Sequence, residues 1–200
     1  MKTLLQSTLA LLVAAGTASA APQVGQPAPE FTLTDSNGQS HNLSDFKGKF
    51  VVLEWLNHGC PFVQKHYDSG NMQGLQKEYT GKDVVWLSIV SSAPGKQGHM
   101  SPGDTNQTKE EKGSAATAIL LDEDGTVGKI YDAKVTPELY VINPEGTLVY
   151  MGAIDDVRSV EAADIAGAKN YVKQALDEAM AGQPVSEPST PAYGCSVKYN

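Results

Sequence analysis

Cys60 and Cys195 are the only cysteines of this 200-residue chain, and each is placed where a sulfur can do chemistry. Cys60 stands in "NHGCPFVQKHY", Asn57 to Tyr67, directly behind the apolar run "FVVLEWL", Phe50 to Leu56. A helix beginning at Cys60 would favour its thiolate, the nucleophilic form, through free backbone N–H groups and the helix macrodipole. Pro61 suits the first helical turn, where its missing N–H is not needed. Each unit by which the thiol pKa falls below about 8.5 stabilises the anion by roughly 1.4 kcal/mol. Val63 occupies the place of a second cysteine three residues on, yet its backbone N–H can still point at the sulfur. Activation of Cys60 therefore survives, and local resolution does not. A buried structural cysteine is the plain alternative. Gly-Cys-Pro at a strand-to-helix junction argues against it.

Two neighbours offer help. Asn57 can hydrogen-bond a substrate or simply cap the helix. His58 can donate a proton with a pKa near neutrality, or stand as a solvated loop residue. His66 lies beyond the first helical turn and reads as structural. Cys195 follows Gly182 by thirteen residues, and at about 3.3 Å per residue that arm reaches up to roughly 40 Å. It can therefore return to Cys60. Three roles are open to it: resolving a mixed disulfide or sulfenic acid at Cys60, forming a lasting staple worth about 4 to 5 kcal/mol, or remaining a free or intermolecular thiol.

The elements that must position these residues follow from pattern. Phe31 and Leu33 alternate with Thr32 and Thr34 ahead of the turn "DSNG", which predicts a short N-terminal hairpin. "FVVLEWL" and "DVVWLSIV", Asp83 to Val90, read as strands covered on both faces. Between them a helix runs from Cys60, with Val63, Tyr67, Leu75 and Tyr79 at helical spacing and a break at "DSGN", Asp68 to Asn71. Residues 91–113 are too polar for a strand and predict a surface excursion with one short helix. "ATAILLD" (Ala116 to Asp122), "ELYVIN" and "TLVYMGAI" read as strands, the last two joined by "NPEG" as an antiparallel hairpin. From Arg158 to Ala181 the apolar positions fall on one side and predict an amphipathic closing helix. Residues 182–200, rich in Pro, Ser and Gly, predict an extended arm carrying Cys195.

Composition narrows the partners. With 40% hydrophobic and 19% charged residues the chain is ordinary for a soluble single domain. Residues 1–20 combine Lys2, an apolar stretch from Leu9 to Ala15 and the small-residue end Ala18-Ser19-Ala20, the layout of a secretory signal peptide. Losing Lys2 takes the net charge from −8 to −9. The acidic balance makes nucleic acid and anionic lipid poor partners. Export, with a bacterial periplasm as the expected compartment, would permit a disulfide.

The order strand, Cys-Pro helix, strand, insertion and then "VTPELYVINPEGTLVY" resembles the thioredoxin fold. "VGQPAPEFTLTDSNGQ", "GKFVVLEWLNHGCPFV" and "VTPELYVINPEG" together resemble its redoxin branch, which includes alkyl hydroperoxide reductase and thiol-specific antioxidant proteins and exported disulfide reductases. The likeness runs from about Val24 to Ala181. It implies an α/β fold, a mixed central sheet flanked by helices, with Pro137 as a cis-proline facing Cys60 and exposing the backbone of Thr136. Peroxiredoxins carry P-x-x-x-T-x-x-C; here Leu53 and Asn57 fill the proline and threonine positions. Pro137 falls where their peroxide-binding arginine belongs, and the only arginine is Arg158. The expectation is thus an exported thiol oxidoreductase of protein or small-molecule disulfides, needing no cofactor or metal. A peroxiredoxin-like peroxidase comes second. A binding protein is third, with copper among its candidate ligands near His58 or His99-Met100. "DEDG", Asp122 to Gly125, is a turn without the spacing of a calcium loop.

Overall fold

The computed structural model describes residues 21–200, so the expected signal peptide lies outside the described residues. A seven-stranded mixed sheet forms the centre, its strands in the order Ser40–Asn42 (β2), Thr32–Asp35 (β1), Ala118–Leu121 (β5), Val85–Val90 (β4), Val51–Trp55 (β3), Glu138–Ile142 (β7) and Leu148–Gly152 (β8). Its middle strands, β3 (Val51–Trp55) and β4 (Val85–Val90), are buried along their whole length and run parallel. Helices α1 (Pro61–Asp68), α2 (Asn71–Thr80) and α5 (Tyr171–Met180) supply residues to the core on one face, and α4 (Thr126–Ile130) to the core on the other. Strand alternation divides β3 between the two cores: Val52 joins one, while Val51, Leu53 and Trp55 join the other. This is the thioredoxin fold.

Glu54, inside the apolar run, is fully buried. Its carboxylate accepts from Tyr67 Oη at 2.8 Å, Trp86 Nε1 at 2.8 Å, Ser88 Oγ at 2.9 Å and Gln76 Nε2 at 3.1 Å. Burial nevertheless raises its pKa against those four donors. The network ties α1 and α2 to the middle of the sheet.

The N-terminal hairpin, β1 (Thr32–Asp35) and β2 (Ser40–Asn42), joins the sheet through β1 beside β5 (Ala118–Leu121). The break after Asp68 separates α1 from α2, with Gly70 in the left-handed region at φ 77° as the cap of α2. The excursion carries α3 (Pro102–Glu111), opened by a Ser101–Asp104 capping box. The hairpin of β7 (Glu138–Ile142) and β8 (Leu148–Gly152) turns through Asn143 to Gly146 as its residues predict.

One element differs from expectation. The closing helix does not run from Arg158; a 3-10 segment, Ala162–Gly167, buries no residue, and α5 starts only after Asn170, whose side chain accepts from Lys173 N at 2.8 Å. The apolar face expected across the whole segment is used only within α5, by Val172, Ala175 and Leu176. The short helix α4 was not legible, being a single turn opened by Gly125 after "DED".

Candidate active site

Cys60 is the N-cap of α1, and Pro61 is in its first turn. The loop behind it is held by side chains. Asn57 is buried; its Oδ1 accepts Gly59 N–H at 2.8 Å and its Nδ2 donates to the Gln97 carbonyl at 3.3 Å. Gln97 Nε2 returns a bond to the Gly59 carbonyl at 2.9 Å, and Gln64 Nε2 donates to the His58 carbonyl at 2.9 Å. Gly98, at φ 86°, lies against the Asn57 amide, where a Cβ would collide. Asn57 is therefore a loop brace with both amide atoms engaged. Gln97 was not singled out by sequence, because its role depends on a loop 38 residues away folding back on Gly59, and Gln64 was not because its partner is a backbone carbonyl of the preceding loop.

His58 corrects the expectation of a near-neutral proton donor. Its ring sits edge-on to Tyr67, centroids 4.7 Å apart, and neither ring nitrogen has a hydrogen-bond partner. Burial lowers its pKa to about 4, with Lys112 adding to the shift and Asp68 opposing it. It is neutral at physiological pH.

Facing Cys60 is the Thr136–Pro137 peptide bond, which is cis. Thr136 belongs to β6 (Val135–Thr136), which pairs with β9 (Cys195–Ser196) of the C-terminal arm in antiparallel register, Thr136 opposite Cys195. Cys60 Sγ donates to the Thr136 carbonyl at 3.1 Å and lies 2.7 Å from Cys195 Sγ. Both cysteines are free thiols here. The sequence placed Cys195 within reach of Cys60; the strand pairing brings the two sulfurs together.

The arm is anchored on both sides of that contact. Thr190 Oγ1 accepts Ala153 N–H at 3.0 Å, the Tyr193 hydroxyl donates to Asp155, and the Tyr199 hydroxyl donates to the Ala133 carbonyl at 2.7 Å. Asp155 is buried beside Lys65 and His66 of α1, at 3.6 and 3.7 Å. The arm is thereby coupled to the helix that begins at Cys60. Gly194 backs onto the Thr136 carbonyl so closely that any Cβ would overlap it. None of these anchors was read from the sequence, since a Pro/Ser/Gly-rich tail gives no periodic signal.

Burial opposes ionisation of Cys60, but the Cys195 thiol and N–H, the Val63 N–H and the Thr136 hydroxyl outweigh it and hold the Cys60 pKa below the usual thiol range. The Thr136 hydroxyl is the weakest of these, being buried with no partner in hydrogen-bond geometry. Burial and the neighbouring Cys60 push Cys195 the other way, upward. The two shifts are opposite, so that of the pair Cys60 is the sulfur that gives up its proton first.

Among the described residues no group of three His, Cys, Asp or Glu side chains is placed to hold a metal ion, and His99 faces Glu123 at 3.2 Å. No described helix is long and apolar enough to cross a membrane.

A thioredoxin fold with a low-pKa cysteine at a helix N-terminus, opposite a cis-proline, defines a class of thiol proteins. Within it, the profile of the AhpC/TSA family matches residues 24–151, and the chain belongs to that family. The thiol-disulfide oxidoreductase ResA of Bacillus subtilis is 30% identical over 125 residues, spanning 62% of this chain and 64% of ResA. The thioredoxin-like protein YneN of the same organism is 26% identical over 146 residues, 72% of this chain and 80% of YneN. The crystal structure of an uncharacterized conserved protein from Geobacillus kaustophilus superposes with a TM-score of 0.76 at 30% identity, covering 89% of this chain and 93% of that one.

Proposed function

We propose that the chain is an exported thiol-disulfide oxidoreductase in which Cys60 is the nucleophile and Cys195 the resolving cysteine. The observation that carries this reading is the 2.7 Å separation of the two sulfurs across the β6–β9 pair. The Cys60 thiolate attacks one sulfur of a substrate disulfide; a Cys60–substrate disulfide forms, and the other substrate sulfur leaves as a thiolate and takes up a proton. Cys195, deprotonated, then attacks the Cys60 sulfur, expels the second substrate thiolate and closes the Cys60–Cys195 disulfide. The substrate gains two electrons and the chain loses two. With the arm docked Cys60 has no exposed surface, so the substrate reaches it when the arm lifts from β6.

ResA, named as a thiol-disulfide oxidoreductase, supports this over peroxide reduction. So does the chemistry of the site. Asn57, in the threonine position of a peroxiredoxin, spends its amide on Gly59 and Gln97. Arg158 is exposed, and Pro137 fills the place of the peroxide-binding arginine. Export rests on the character of residues 1–20, and the thiol or disulfide partner is either a protein or a small molecule.

Stopped-flow oxidation of the reduced chain tests the assignment, with oxidised glutathione and hydrogen peroxide as alternative oxidants and Cys60→Ser and Cys195→Ser alongside. Disulfide-driven oxidation is expected to vanish in Cys60→Ser and to halt at a stable mixed disulfide in Cys195→Ser. Rapid Cys60-dependent consumption of peroxide would instead make the chain a peroxidase.

A further inference from the structure

Strand pairing sets Cys195 against Thr136, but Cys60 belongs to a different element, α1. Something must therefore fix the arm relative to that helix. Tyr193, two residues before Cys195, is buried, and both pack into the core cluster that holds Cys60. Its ring stands edge-on to Phe62 in the first turn of α1, centroids 5.6 Å apart, and its hydroxyl donates to Asp155 Oδ1.

Asp155 is in turn gripped by α1. Lys65 Nζ lies 3.6 Å from its Oδ2 and donates to the Val157 carbonyl at 3.1 Å, while the Val157 N–H donates to Asp155 Oδ1 at 3.0 Å. The Lys65 side chain has no exposed surface, and that of Asp155 only 2%. Taking two charges out of water costs so much that an apolar pair of the same size is often at least as stable; a buried ion pair is better suited to fixing one arrangement. A hydroxyl donating to a carboxylate also makes a shorter and stronger bond than one donating to a neutral acceptor. The Tyr199 hydroxyl, on the other side of Cys195, ends on the neutral carbonyl of Ala133, just ahead of β6 and not on α1.

We propose that Asp155 is a positioning residue for the resolving step, acting through the Tyr193 hydroxyl to hold Cys195 in reach of Cys60. Asp155 has this role only where Cys195 resolves, as proposed above. In that step the Cys195 thiolate bonds to Cys60 Sγ as the bond from Cys60 to the substrate sulfur breaks, and the electron pair leaves with the substrate. Asp155 exchanges neither proton nor electron. Its contribution is geometric, and an intramolecular step loses its advantage with small misplacement.

Stopped-flow oxidation by oxidised glutathione separates two rates, formation of the mixed disulfide and its closure. Equilibration in glutathione buffers gives the effective concentration of Cys195 at Cys60. Tyr193→Phe, which keeps the ring against Phe62, is expected to slow closure at least about ten-fold without slowing the first attack. The effective concentration should fall by the same factor, which makes the pair about 30 mV less reducing. Asp155→Asn is expected to slow closure in the parent chain but to add nothing in a Tyr193→Phe background. Tyr199→Phe should slow closure less than Tyr193→Phe does, and these two variants decide the matter if Asp155→Asn does not fold. Closure at the parent rate in Tyr193→Phe, an equal loss in Tyr199→Phe, or additive losses from Asp155→Asn and Tyr193→Phe would overturn the proposal and leave the resolving role of Cys195 standing. A parent chain that forms no Cys60–Cys195 disulfide removes that role, and the proposal with it.

Discussion

At the scale of single residues, the chemistry of Cys60 comes from four donors working against burial. The Cys195 thiol is the largest favourable contribution, followed by the Val63 N–H. The Val63 N–H donates to the Cys60 carbonyl at 3.0 Å, as part of the first helical turn. Replacing Cys195 by Ala should raise the Cys60 pKa: Thr190, Tyr193 and Tyr199 keep the arm in place, so the burial penalty stays while the strongest donor goes. An ultraviolet thiolate titration of Cys195→Ala, which has a single thiol, is expected to place Cys60 above its first titration step in the parent chain. An unchanged or lower value would mean that Cys195 does not hold the anion. The helix start at Cys60 and Pro61 was legible in sequence because it is set within one helical turn; the contact with Cys195, 135 residues on, was not. Asn57 and His58 were not, because Gln97 and Tyr67 decide what each amide or ring atom can still do.

Among the elements, the decisive pair is the smallest. Strands β6 and β9 have two residues each, yet their register alone sets Thr136 opposite Cys195. Glu138 stiffens the receiving strand, its carboxylate accepting Lys134 N–H at 2.8 Å and Val135 N–H at 3.2 Å. Gly194, with φ at 151°, lets the arm approach the Thr136 carbonyl where a side chain cannot fit. Gly194→Ala is expected to push β9 off β6 and slow closure of the Cys60–Cys195 disulfide by at least about ten-fold, since the rate advantage of an intramolecular step is lost with small misplacement. Alkylation of Cys60 in the same variant should become faster, as its cover loosens. Closure at the parent rate would show that the arm finds Cys60 without the pairing. Strands β3, β4, β7 and β8 were readable because continuous apolar or alternating patterns report burial directly. The β6–β9 pair was not, since two-residue strands carry no pattern and their partners are 59 residues apart, Thr136 to Cys195.

Across the whole molecule, the arm joins the last residues to the first helix of the core, and the sulfurs it brings together are 135 residues apart. Closing a loop of that size restricts the unfolded chain far more than the folded one, in which the arm is already docked with both thiols free. By chain-entropy reasoning the disulfide should add about 5 kcal/mol to stability. At roughly 2 to 4 °C per kcal/mol for a chain of this size, the oxidised form should melt about 10 °C or more above the dithiol form. Calorimetry of the two redox forms checks this, with Cys195→Ser expected to melt at one temperature whatever the oxidant. Equal melting of both parent forms would mean that the denatured chain already holds the two cysteines together. The same free energy appears in the redox equilibrium, because whatever the disulfide adds to folding must be supplied to break it. About 5 kcal/mol corresponds to roughly 100 mV, so the folded pair should be that much more reducing than the same two thiols in the unfolded chain. A chain poised this way donates electrons to substrate disulfides readily and needs a strong dithiol to be recharged.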